Sequence, residues 1–136
     1  MPLVFRAMKK DDDELPTVEA SATGLGVRVG TDVDVQDGHV LTNGKGMSVS
    51  PNWRLLPIFR IPKRLCGQFP GARGSNQTCC FRFGSGPFER GALADGLELV
   101  PDSPAHGCVA PAQPVSLEQY ESDLSATRAG WQIDER

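Results

Sequence analysis

Acidic residues are missing from the middle of this chain: between His39 and Phe88 there is no Asp or Glu, in a sequence with 17 of them. The same stretch carries Lys45, Arg54, Arg60, Lys63, Arg64, Arg73 and Arg82. With a formal net charge of −3 overall, the flanking segments must be strongly acidic, and they hold 7 basic and 17 acidic residues. Seven unpaired cations repel one another, so either the acidic flanks fold over them or a phosphate-bearing ligand neutralises them. Exposed ion pairs are individually weak, which leaves both solutions open.

Long apolar runs are also lacking. No stretch approaches the roughly 20 apolar residues of a membrane span, and Met1 to Lys10 lacks the apolar core of a secretory signal. The expectation is a cytoplasmic product with no signal peptide and no membrane insertion. Cysteine is sparse, at positions 66, 79, 80 and 108, with no C-x-x-C pair. Adjacent Cys79 and Cys80 would point to opposite faces of a strand, so no metal site is expected. Reduced thiols are the first reading, with a Cys66 to Cys79 disulfide as an alternative that sequence does not decide. Two catalytic signatures fail: Gly46-Met47-Ser48-Val49-Ser50 lacks the second glycine of a nucleophile elbow, and Gly24-x-Gly26 lacks the third glycine of a dinucleotide fingerprint.

What is present fits one domain over residues 1–136, long enough to bury a core without staples. The 15 Gly and 11 Pro imply many turns and short elements. Apolar residues alternate through Leu3 to Met8 and read as a first strand that carries Arg6 on one face. The acidic run Asp11 to Glu14 reads as a solvated loop, and Leu15 to Thr23 as a short helix. Asp37-Gly38 and Asn43-Gly44 are both turn signals, the second taken to close a hairpin into Met47-Ser48-Val49. Pro51, Pro57 and Pro62 forbid a long helix across the basic belt. Further strands are expected at Thr78 to Phe83, Leu97 to Val100 and Cys108 to Ala110. Ser116 with Gln119 forms a capping box, followed by Leu117, Tyr120, Leu124, Thr127 and Trp131 at helical spacing. The fold class that follows is α+β and sheet-rich, with few short helices and a C-terminal amphipathic helix packed on a sheet.

The polar residues on these short strands, Arg6, His39, Ser48 and His106, stand beside a belt that also contains Trp53 and Phe59. Arginine grips phosphate with a planar fork and an exposed aromatic ring offers a stacking face, so a ligand with phosphates and a ring is the natural candidate. Each residue also has a plain structural reading: Arg6 as a strand-edge charge, His106 as a turn histidine.

Three patches carry a family likeness: Leu3-Val4-Phe5-Arg6-Ala7-Met8, then Asp37-Gly38 with Gly44-Lys45-Gly46-Met47-Ser48-Val49, and finally His106-Gly107-Cys108-Val109-Ala110-Pro111. In order and spacing the series resembles the motifs of a family of type VI secretion effector toxins with an ADP-ribosyltransferase-like fold. The resemblance implies a compact split pair of antiparallel sheets gripping NAD as a substrate. It implies Arg6 on the NAD ribose or phosphate, Ser48 on the nicotinamide-side ribose and His106 lining the same cleft, with these three as catalytic candidates. Trp53 and Arg60 join Arg6 and Ser48 as candidate NAD contacts. It further implies delivery into a target cell's cytoplasm, a cognate immunity protein or antitoxin, and a protein or nucleic acid acceptor. The catalytic glutamate usual in the toxin branch has no motif match here among Glu89, Glu98, Glu118 and Glu121. A related activity, transfer of an RNA 2′-phosphate to NAD, works without that glutamate. The rival from another class is a non-enzymatic module that docks a phosphate-rich or acidic partner through the belt of residues 45–82.

Overall fold

The computed structural model describes all 136 residues and is an α+β fold of short, mainly antiparallel strands with one α-helix. Strand β1 (Val4–Lys9) is its central thread because both of its faces are buried. Val4 and Met8 enter the larger core, while Phe5 and Ala7 enter a smaller one with Trp53, Leu56, Ile61 and Leu65. Burial on both faces is what removes the polar alternation of a surface strand. Further strands are β2 (Val35–Gln36), β3 (His39–Val40), β4 (Met47–Val49) and β5 (Thr78–Phe83). They are followed by β6 (Gly91–Ala94), β7 (Leu97–Ser103), β8 (His106–Pro111) and β9 (Val115–Ser116). Helix α1 (Leu117–Ala126) and strand β10 (Gln132–Ile133) complete the chain.

Three sheets result, in the orders β1-β5-β10, β2-β3-β9 and β4-β8-β7-β6. The first and third meet at an isolated bridge between Phe5 and Ser50, whose amides and carbonyls exchange bonds of 2.7 and 2.9 Å. Beside this bridge the Arg6 side chain reaches across to β4, and a cleft lies over the junction.

Helix α1 begins where the sequence places it. The Ser116 hydroxyl accepts from the Gln119 amide at 3.1 Å, which satisfies one of the free N–H groups of the first turn. Gln119 does not return the bond and instead donates to Asp123. Tyr120 and Leu124 are buried, and so is Trp131 beyond a one-turn 3-10 helix (Arg128–Gly130). The Tyr120 hydroxyl donates to the Val109 carbonyl at 2.6 Å and accepts from the Met47 amide at 3.2 Å, so the helix is pinned to the β4–β8 seam. Burial pushes the Tyr120 hydroxyl's pKa up.

Two local expectations are corrected. Leu15 to Thr23 is not helical; it lies along the end of β1, with Thr17 donating to the Lys9 carbonyl and Lys9 to the Thr23 carbonyl. A segment this short has little helical stability of its own, so pairing to β1 decides its conformation. Nor does Asn43-Gly44 close a hairpin: β4 pairs with β8, from Met47 opposite Val109 to Val49 opposite Gly107. The hairpin forms at Asp37-Gly38, where φ is +52° and +76°, the paired left-handed geometry that twists β2 and β3 into register. The acidic loop is more than solvated surface, since Asp11 and Asp13 both grip Arg128 at 2.8 Å. All four cysteines are free thiols, and no helix is long and apolar enough to cross a membrane.

Candidate functional site

A cavity of about 190 Å³ opens at the junction of the two sheets, and Arg6, Ser48, Arg60 and His106 all line it together with Phe59. These residues come from four separate parts of the chain. Arg6 comes from the middle of β1 and Ser48 from β4; His106 starts β8, which pairs with β4, so it stands at the same sheet end. Arg60 and Phe59 come from the proline-bounded turn after Leu56, which cannot form a helix and so projects over the cavity.

Arg6 is the unusual member. It is only 5% exposed, and its guanidinium binds no carboxylate. Nε donates to the Gly24 carbonyl at 3.1 Å, and the two terminal nitrogens donate to the carbonyls of Ser48 at 2.8 Å and Ser21 at 3.1 Å. Three of its five N–H groups are thereby engaged and two are left. Burial pulls its pKa down to about 10, opposed by the nearby charge of Asp32. A cation held away from water by neutral carbonyls stabilises any anion that reaches it.

Arg28 and Asp32 also line the cavity, and sequence reasoning passed over both. Asp32, its side chain 9% exposed, accepts from the Arg28 amide at 2.7 Å and from the Arg28 guanidinium at 3.1 and 3.2 Å. The only available signal was two opposite charges four residues apart around Gly30. Asp32 is the sole carboxylate lining the cavity; Glu89, Glu98, Glu118 and Glu121 are not part of it. Glu98 pairs instead with Arg90.

His106 Nδ1 lies 2.9 Å from both carboxylate oxygens of Asp102, which orients the ring and leaves Nε2 without a protein partner. Ser48 is half-buried; its carbonyl is taken by Arg6 while its hydroxyl has no protein partner. Cys108, paired opposite Ser48, is no activated nucleophile, because burial raises its pKa.

Trp53 does not belong to the site. It is 1% exposed in the smaller core, its indole donates to the Arg136 carbonyl at 2.9 Å, and Arg54 covers its ring at 4.3 Å. An indole is large enough that packing claims it wherever a core is near, and the stacking face falls to Phe59, 59% exposed, with the Arg60 guanidinium 5.0 Å from its ring centre. His39 also stands apart, exposed in the β2–β3 hairpin.

Comparison with protein-family models, with curated proteins and with solved structures returned no match to this chain.

Proposed function

We propose that the chain is an NAD-dependent, ADP-ribosyltransferase-like enzyme that acts as an effector toxin in the cytoplasm of a target cell. The observation that carries this reading is the buried Arg6 guanidinium, unpaired with any acid, at a cavity shared with Ser48, Arg60, His106 and an exposed aromatic ring. The three-patch resemblance supplies the reaction class, and two antiparallel sheets joined at the Phe5–Ser50 bridge, with the cavity over their junction, are compatible with a split-sheet NAD fold.

The residues fit the substrate's parts. Arg6 and Arg60 suit the diphosphate, the Ser48 hydroxyl a ribose hydroxyl, and the Phe59 face a flat ring. The cavity of about 190 Å³ is smaller than the roughly 300–1,000 Å³ usual for enclosed small-molecule sites, so it takes part of the dinucleotide and leaves the rest on the Phe59 and Arg60 rim. In the reaction the nicotinamide–ribose C1′–N bond breaks, nicotinamide leaves with the bonding pair, and an acceptor atom bonds C1′ and loses its proton. Asp32, the one carboxylate lining the cavity and held there by Arg28, takes the ribose hydroxyl, the work a glutamate does in the toxin branch. His106, oriented by Asp102, takes the acceptor's proton at Nε2. A producing cell then requires an immunity protein, and the cationic cleft mouth suits an acidic one.

NAD carrying label in both its nicotinamide and its adenine half, incubated with the protein and a bacterial lysate, tests the reading. The expected result is free nicotinamide together with adenine label on protein or nucleic acid. Neither product at full soluble activity of a positive-control transferase overturns it.

A further inference from the structure

Folding neutralises only part of the acid-free stretch. Lys45 pairs with Asp34 at 3.0 Å, Arg64 with Glu135 at 2.8 Å and Arg82 with Asp134 at 3.3 Å. Arg54 lies on Trp53 and donates to the Arg136 carbonyl. Arg60, Lys63 and Arg73 have no carboxylate partner.

These three are gathered by the backbone into one lobe. The Arg73 amide donates to the Ile58 carbonyl at 2.8 Å, the Lys63 amide to Gly74 at 3.0 Å and the Gly74 amide to Ile61 at 2.7 Å. Residues 58–63 therefore run against residues 73–74, with Pro62 bridged to Gly74. The approach is close enough that a Cβ at Gly74 would stand 2.7 Å from the backbone of Arg60 and Ile61, so the glycine is what allows it. On the same lobe Phe59 is 59% and Ile58 41% exposed. Phe59 and Arg60 also line the cavity, which makes lobe and cavity one continuous surface.

We infer that this lobe binds single-stranded nucleic acid, with phosphates on Arg60, Lys63 and Arg73 and an unpaired base stacked on Phe59. Cations without carboxylate partners, on one lobe with an exposed aromatic ring, are the arrangement that single strands use. A duplex is a poor fit, because the lobe is made of turns and a one-turn 3-10 helix (Lys63–Leu65) with no long helix or ribbon to enter a groove. An acidic peptide would supply charge for the three cations but no flat ring for the exposed Phe59 face, which every base of a single strand supplies. The inference stands on the lobe's own residues and does not require the cavity to hold NAD.

Fluorescence anisotropy of labelled oligouridylate and oligothymidylate of about a dozen nucleotides tests it. With three cations engaged, log affinity should fall against log salt with a slope of about −2. Arg60→Glu, Lys63→Glu and Arg73→Glu together should abolish binding, Phe59→Ala alone should weaken it about tenfold, and Lys45→Gln, outside the lobe, should leave it unchanged. Phe59→Ala removes an exposed side chain and keeps the test valid if the triple variant misfolds. Binding of either strand chemistry with these losses supports the inference. No binding at low salt, equal affinity for a duplex or for polyglutamate, or a Phe59→Ala protein that binds like wild type overturns it.

Discussion

Arg6→Ala should destabilise the protein as well as disarm its cavity, and the size of the effect follows from the three carbonyls that Arg6 serves. Those of Ser21 and Gly24 belong to the loop that lies along β1, and that of Ser48 belongs to β4, so one guanidinium ties three segments together. Bonds from a charged donor contribute about 1.5–3 kcal/mol each, so their loss amounts to about 5–9 kcal/mol. The loss is offset because the cation is itself costly to bury: the lowering of its pKa to about 10 corresponds to about 3 kcal/mol. A net loss of about 2–6 kcal/mol remains. For a domain of this size each kcal/mol moves the melting temperature by about 3–4 °C, so a fall of about 6–24 °C is expected by circular dichroism. Arg6→Lys, which keeps the charge and loses the fork, should fall between the two proteins. An Arg6→Ala protein that melts within about 2 °C of wild type would refute this reasoning, because it would mean the carbonyls do not depend on the guanidinium.

Leu124 lies on the buried face of α1, and Leu124→Ala should cost about 2–5 kcal/mol by cavity formation, whereas Ser116→Ala, which loses the cap bond, should cost about 1 kcal/mol; urea titrations of both variants measure this. Acid should also weaken the fold. Lys45 and Asn43 hold the pKa of Asp34 below its usual 3.8, and Arg128 does the same for Asp13. Depressed carboxylates contribute stability that is present above 3.8 and is lost as pH falls through their lowered folded values. Both groups are exposed, so the effect should be small and should shrink further in Asp13→Asn when stability is followed from pH 5 to pH 2.

Parts of this fold are legible in the sequence because their signals are local. The apolar run of Val4 to Met8 around Arg6, the apolar Thr78 to Phe83 and the Ser116 cap each dictate an element wherever the rest of the chain goes. The two-residue strands β9 and β10 carry no such signal: their pairing exists only because β3 and β5 present free edges to them. Two turn dipeptides of equal local strength were competing for one hairpin, and the outcome was set by β8, some sixty residues away, taking β4 as its partner. At the site, Arg6, Ser48, Arg60 and His106 stand out in the sequence as chemistry-bearing residues on short elements. That they share one cavity follows from the Phe5–Ser50 bridge, a long-range pairing. Asp32 was missed because its position depends on how the Val27 to Val33 loop turns back on Arg28. Trp53 was misassigned because burial of an indole is a tertiary event.

Calorimetric titration of NAD into the folded protein and into Arg60→Glu tests the central claim most directly, since Arg60 makes no salt bridge and its replacement spares the core. The account predicts saturable binding to wild type and an affinity at least about tenfold lower in the variant, the equivalent of losing one charge-assisted contact. No heat with wild type at millimolar NAD, or equal affinity in the two proteins, would contradict it.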